Sequence, residues 1–143
     1  MGSPTNLLEK WKNQHWQQVC REIKQAGLEF RLENIDKIVE LTSFKVRSKK
    51  QEKLCPYYSK GIPCHPEIDN FNCLLCACPN YDVSKLTGAC KTNSISGKWH
   101  YHQNLPEGKV WDCSNCSIGH TAYDAQVFLY KNLEWLRKMS ETL

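Results

Sequence analysis

The stretch Asp69-Asn-Phe-Asn-Cys-Leu-Leu-Cys-Ala-Cys-Pro-Asn-Tyr81, DNFNCLLCACPNY, places Cys73, Cys76 and Cys78 within six residues, with a proline directly after the third. Thiols that crowded serve as half of a disulfide framework, as ligands of a metal, or as a redox pair with a spare. Nine cysteines in 143 residues is dense, yet below the level of a disulfide scaffold. The N-terminus lacks the charged-then-apolar pattern of a secretory signal. No apolar run approaches the roughly 18 residues of a membrane span. A cytoplasmic, reducing location is therefore expected, where disulfides do not persist, and the reading shifts to metal or catalysis.

Outward from that stretch, residues 55–120 are punctuated by proline and glycine, and only GKWHYH and GKVWDC resemble strands. So irregular a segment buries too little apolar surface to order itself and needs a staple. Eight cysteines lie there: Cys55, Cys64, Cys73, Cys76, Cys78, Cys90, Cys113 and Cys116. Cys73/Cys76 and Cys113/Cys116 have the two-residue spacing that aims two sulfurs at one centre, as in zinc sites, though 36 residues separate the pairs. A thioredoxin-like redox pair needs a βαβ unit, and none surrounds either dyad. Closing the irregular region favours one centre shared by the two dyads, with Cys55, Cys64, Cys78 and Cys90 forming a second or a larger one.

Which metal is open. Eight thiols suit two zinc ions, one or two iron–sulfur clusters, or one of each. On extended chain the Cys76 and Cys78 side chains would stand about 6.6 Å apart. That is wide for one zinc with bonds of about 2.3 Å, and better suits two corners of a cluster or two different metals. Cys55-Pro56 and Cys78-Pro79 also resemble the Cys-Pro ends of ferredoxin loops. His120, four residues after Cys116, is a candidate ligand, and His65 a weaker one. At the start of a helix, His120 serves equally well by hydrogen-bonding a loop carbonyl or a ligand sulfur. His100 and His102 read as surface residues, and Trp99 and Trp111 as shields of the centre. Cys20 reads as a small apolar side chain packed on a helix.

The flanks are regular. Pro4-Thr5-Asn6 caps a helix ending at Gly27, with Leu8, Trp11, Val19 and Ile23 on its apolar stripe. Leu28–Leu32 alternates like a strand, Glu33–Leu41 suits a second helix, and SFKV returns to alternation. The net charge of +4 lies wholly in residues 1–54 and peaks in Lys45–Lys53, read as a solvated linker. No aromatic residues interleave with those charges, so nucleic acid is not the expected partner. From Thr121, an N-cap with Asp124 three residues on, runs a long helix with Ala125, Phe128, Leu129 and Leu136 on its apolar side.

The expected fold is α+β: a small, irregular, metal-stapled cysteine-rich core with short strands, between an N-terminal helical/αβ segment and a long C-terminal helix. Residues 1–54 would form the N-terminal segment with its basic linker, and residues 55–143 the metal-binding domain. CPYYSKGIPCHPEIDNFNCLLCACPNY, the lone Cys90, GKW and VWDCSNCSIGH together resemble the cysteine-rich small domain, a zinc-finger-like family of metal-binding proteins. The resemblance covers about Cys55–His120. Such domains occur alone in bacteria and archaea, or fused to cobamide-biosynthesis enzymes such as threonine-phosphate decarboxylase and adenosylcobinamide amidohydrolase. It implies a metallocentre, with iron–sulfur among the options in the fused forms. The spacings between Cys55 and Cys64, and between Cys78 and Cys90, are longer than the family pattern.

The leading expectation is a small soluble metal-binding protein with an iron–sulfur cluster of the [4Fe-4S] type, with or without zinc, serving electron transfer or regulation of a partner enzyme. The alternative is a structural zinc module that presents a surface to a protein partner. A metal-dependent enzyme comes third, because it requires an open coordination position and no general base can be nominated.

Overall fold

The structure, a computed structural model, describes Asn6, residues 8–113, Cys116 and residues 119–143. The expected cap residues Pro4 and Thr5, and Ser114, Asn115, Ser117 and Ile118 around the second dyad, lie outside the described residues. The architecture is α+β, with helices α1 (Glu9–Gln25), α2 (Ile35–Thr42), α3 (Phe44–Lys50), α4 (Pro56–Lys60) and α5 (Ala122–Glu141), and strands β1 (Lys98–Tyr101) and β2 (Lys109–Asp112). It resolves into two compact units, a helical one of His15–Cys76 with Ile118–Leu143, and a hairpin one of Met1–Gln14 with Ala77–Ser117. Each unit draws on both sides of residue 54, so the grouping by contacts differs from the division by texture.

The N-terminal helix forms as its pattern requires. Asn6 Oδ1 accepts from the Leu8 N–H at 2.8 Å, and the helix gives out before Gly27, whose φ of 74° is the left-handed turn that glycine supplies. Its buried stripe is Trp16, Val19, Cys20 and Ile23. Trp11, expected on that stripe, is 46% exposed, because five residues before Trp16 it lies roughly 140° around the helix. In the helical unit Val19, Ile23, Phe30, Ile38, Leu74, Leu129 and Leu136 are fully buried. Each aliphatic among them contributes roughly 1.5–3 kcal/mol. Trp16 stacks on Phe128 at 5.3 Å and meets Trp135 edge-on at 5.6 Å, locking α1 to α5. At the start of α5, Thr121 caps by accepting from the Asp124 N–H at 3.1 Å, as expected.

Two expected strands are absent. Leu28–Leu32 runs as a connection into a 3₁₀ turn at Leu32–Asn34: only Phe30 turns into the core, while Leu32 is exposed, so the alternation has no sheet to serve. Ser43-Phe44-Lys45-Val46 opens α3 instead of a strand. The Ser43 hydroxyl accepts from the Val46 N–H at 3.3 Å, and this N-cap outweighs a four-residue alternation. The two expected strands that form, β1 and β2, pair antiparallel with Trp99 opposite Trp111. The chain reverses between them through Glu107 and Gly108, at φ of 56° and 74°. Among the described residues no helix is long and apolar enough to cross a membrane.

The basic run Lys45–Lys53 is not simply a solvated linker, because most of it is α3 and Arg47 is only 4% exposed. Its Nε and Nη2 each donate to a Glu22 carboxylate oxygen at 2.9 Å, and Nη1 donates to the Tyr58 hydroxyl at 3.1 Å. A buried ion pair need not add net stability, but removing one partner strands the other's charge. Arg47→Ala should therefore cost about 3–5 kcal/mol, whereas Lys45→Ala and Lys49→Ala should stay within about 0.5 kcal/mol. Urea midpoints of the three variants test this, and equal small losses would return the run to a linker.

Candidate metal centre

The chain before Cys73 is held on both sides by backbone. Phe71 bridges Thr121, and Asn72 bridges Ser43. The Asn72 N–H donates to the His120 carbonyl at 2.8 Å, the Cys73 N–H to the Thr42 carbonyl at 2.9 Å, and the Phe44 N–H to the Phe71 carbonyl at 2.9 Å. The fully buried Asn72 side chain completes the fixture, donating to the Val39 carbonyl and accepting from the Leu74 N–H, both at 2.8 Å. Leu74 and Leu75 are buried, and His15 Nε2 sits 2.7 Å from the Leu74 carbonyl. From this anchored start the chain turns, with the Cys76 N–H donating to the Cys73 carbonyl at 3.2 Å. The Cys73–Cys76 spacing is thus a formed turn.

Cys55 immediately precedes Pro56, the first residue of α4, and packs with Phe44 and Ile68 against the buried group Tyr58, Phe71 and Cys73. Burial pushes the Cys73 thiol up to about 11, the Tyr58 hydroxyl and Arg47 pull it back, and Cys64 and Cys55 push it up again. Cys76 keeps an exposed surface, yet enough protein surrounds its sulfur for burial to raise it to about 12, with Cys73, Cys64 and Cys55 adding to the rise and Arg47 opposing it. Cys64 is raised by burial and then by Cys55. In the helical unit these four sulfurs therefore repel one another's charge.

The hairpin unit holds the other four. Tyr81 bridges Cys90, flanked by the Asp82 N–H to the Ala89 carbonyl and the Lys91 N–H to the Asn80 carbonyl, both 2.8 Å. Those contacts bring Cys78 and Cys90 together. The Cys116 N–H donates to the Cys113 carbonyl at 2.8 Å. The Ser94 N–H donates to Cys90 Sγ at 3.3 Å, and Ser94 Oγ lies 3.7 Å from Cys116 Sγ, so one serine links two of the thiols. Burial raises Cys78, the Asn80 amide lowers it, and Cys116 and Cys90 raise it further. Burial pushes Cys113 up to about 11, with Cys116, Cys78 and Cys90 adding to the rise. For Cys90 slight burial is outweighed by the Thr92 hydroxyl and the Ser94, Thr92 and Asn93 amides, which hold it below the usual thiol range. Trp111 Nε1 is buried without a hydrogen-bond partner, and the indole lies near enough to Cys113 to favour its thiolate. The close approaches here depend on glycine: a methyl on Gly97 would strike the Trp111 ring, and one on Gly88 the Tyr81 ring, whose hydroxyl donates to the Trp111 carbonyl at 2.7 Å.

The two dyads thus fall in different units, and the thiols interacting with each belong to its own unit. Cys73/Cys76 and Cys113/Cys116, expected to share one centre, are thus drawn from different units. Cys76 and Cys78, expected to stand too far apart for one zinc, separate into different sets. Among the described residues no three cysteine, histidine or acidic side chains already converge in a coordinating array. The donor sets nonetheless fit a metal. Thiols that raise one another's pKa are those a cation relieves, and a coordinating thiol gives up its proton outright.

His120 and Cys116, one string in sequence, lie in different units. The His120 ring is stacked 4.8 Å from Phe71 and 5.3 Å from His65, and its Nδ1 is buried without a hydrogen-bond partner. His65 Nδ1 is 3.5 Å from Glu67. His100 and His102 are exposed, and Cys20 is fully buried with its thiol pushed to about 11 by burial. Sequence reasoning missed Arg47, Tyr58, Asn72 and His15 as supports. The only signal was an arginine in a lysine run, an asparagine directly before the first close cysteine, and a tyrosine three residues after Cys55.

In comparison with known families, the family model described as zf-like, cysteine-rich small domain, matches residues 46–142, a wider span than the Cys55–His120 segment that carries the resemblance. Neither the curated proteins nor the solved structures gave a match.

His15 gives the helical unit a pH dependence. Burial lowers its pKa to about 4 from an ordinary 6.5, against the opposing Leu74 carbonyl and with Arg47 adding to the fall. The unfolded chain takes up this proton near pH 6.5 and the folded one only near 4. Stability present above pH 6.5 is therefore lost as pH falls through that window, on the order of 3 kcal/mol in all. His15→Gln keeps a side-chain N–H donor without titrating, so its stability should fall less between pH 7 and pH 4. Acid release of metal is common to both proteins and cancels in the difference. Parallel stability curves would refute the assignment.

Proposed function

We propose, for a chain that belongs to the cysteine-rich small domain family, that its clustered cysteines bind metal as thiolates, and that this ligation gives the hairpin unit the core it otherwise lacks. The supporting observation is where apolar burial falls. Of the buried hydrophobic side chains among the described residues, only Ala77 and Tyr81 belong to the hairpin unit, and the rest belong to the helical unit. Two side chains do not offset a conformational entropy of about 1.5 kcal/mol per ordered residue. Four thiolates on a structural zinc supply an apparent 10–16 kcal/mol at neutral pH, a contribution that apolar burial does not make in this unit.

Zinc is the metal assigned by this reading, because paired thiolates on tight turns suit a tetrahedral ion. The role is then structural, holding a surface for a protein partner. A reducing, cytoplasmic setting, in which disulfides do not persist, suits such thiolates. A second reading is an iron–sulfur cluster of the [4Fe-4S] type serving electron transfer or regulation of a partner enzyme. It draws support from four thiols per unit, the number such a cluster takes, and from Cys78-Pro79.

Metal and acid-labile sulfide analysis of protein purified without air separates the readings: colourless protein with stoichiometric zinc supports the first, and brown protein with iron and sulfide the second. Chelation should abolish the near-ultraviolet signal of Trp99 and Trp111 and open residues 77–113 to protease, while helical circular dichroism largely persists. Metal-free protein with unchanged protease resistance would sink the proposal. Cys20→Ser should leave the metal content intact and cost about 1–3 kcal/mol, the cost of burying a hydroxyl. Metal loss in that variant with folding intact would make Cys20 a ligand.

A further inference from the structure

We infer that the chain carries two separate four-sulfur centres, one built from Cys55, Cys64, Cys73 and Cys76 in the helical unit, the other from Cys78, Cys90, Cys113 and Cys116 in the hairpin unit. The inference rests on the metal-binding reading and adds to it the membership of each centre. The division passes between Cys76 and Cys78, through Ala77, which opens the second stretch of the hairpin unit. Each side of it holds four of the eight clustered cysteines, the number of ligands a closed structural site takes.

Geometry gathers each set by itself. In the helical unit the Cys73–Cys76 turn follows the doubly bridged segment at Phe71 and Asn72, and Cys55 packs on the same buried group as Cys73. In the hairpin unit the Tyr81–Cys90 bridge joins Cys78 to Cys90, and Ser94 links Cys90 to Cys116.

The supports around the two sets differ in chemistry. The first is flanked by a fixed cation: Arg47, held by Glu22, donates to the Tyr58 hydroxyl, and Tyr58 packs in one buried group with Cys73. Such outer partners offset the negative charge of a thiolate site and orient its ligands. The second has a backbone amide in that place, the Ser94 N–H on Cys90 Sγ. Filling either site with a divalent cation releases up to four thiol protons to solvent and leaves a centre of formal charge −2 when all four thiols ionise. His65 and His120 lie outside both sets in this assignment, packed on Phe71.

The test uses the full chain loaded with cadmium-113 in place of the native metal. Two resonances of equal intensity are expected, each correlated through the metal to the β-protons of four cysteines, and the two groups of four should be those named. This measurement needs no variant to fold. In parallel, each of the eight single Cys→Ser variants should lose or shift one resonance and leave the other unchanged, with Cys73→Ser and Cys113→Ser affecting different ones. A chain that takes up no cadmium, and holds no metal when purified without air, would overturn the metal-binding reading itself. One resonance correlated with both dyads, or both dyads affecting the same signal, would leave metal binding intact and overturn the partition. Correlation to a histidine ring in place of a cysteine would overturn the membership.

Discussion

The helical unit depends on a short length of extended chain that has no sheet of its own. Phe71–Cys73 is hydrogen-bonded on one side to Thr42–Phe44 and on the other to His120 and Thr121. A buried asparagine supplies what the missing ladder would have supplied: Asn72 pairs the Val39 carbonyl and the Leu74 amide, groups that would be costly to bury unpaired. Because these bonds tie residues some thirty positions before it and fifty after it to one point, the start of α5, the end of α2 and the first cysteine turn are positioned together. The cysteine turn inherits that rigidity.

The two units solve the same problem by different means. In the helical unit, large side chains on α1, α2 and α5 exclude water, and the thiols sit beside an existing core with a buried guanidinium close by. In the hairpin unit Tyr81 over Gly88 and Trp111 over Gly97 make local contacts without a continuous apolar interior. Four thiols stand there instead, some already accepting backbone N–H groups that favour the charged form. Ligation would join a fold already packed in the first case and complete one in the second.

Much of the local structure was legible because it rests on local physics. The periodicity of α1 and α5, the Thr121 cap, the β1–β2 hairpin and the turn at the Cys73–Cys76 spacing all depend on residues within a few positions of one another. Readings failed where a partner far along the chain decided the outcome. Arg47 looks like one charge in a solvated run until Glu22, on another helix, takes its guanidinium. Phe30 and Leu32 alternate as a strand would, but no second strand meets them.

The sequence by itself determined the α+β class, the family and the eight clustered cysteines, because spacing, turn residues and helical period are written in consecutive positions. Only the tertiary structure decided how those cysteines group. Cys76 and Cys78 are neighbours along the chain yet fall in different units, while Cys55 packs on the buried group that holds Cys73. Grouping follows from which segments share a packed interior or a bridging backbone pair. Contacts between residues distant in sequence fix that, and the spacing of residues along the chain does not encode it.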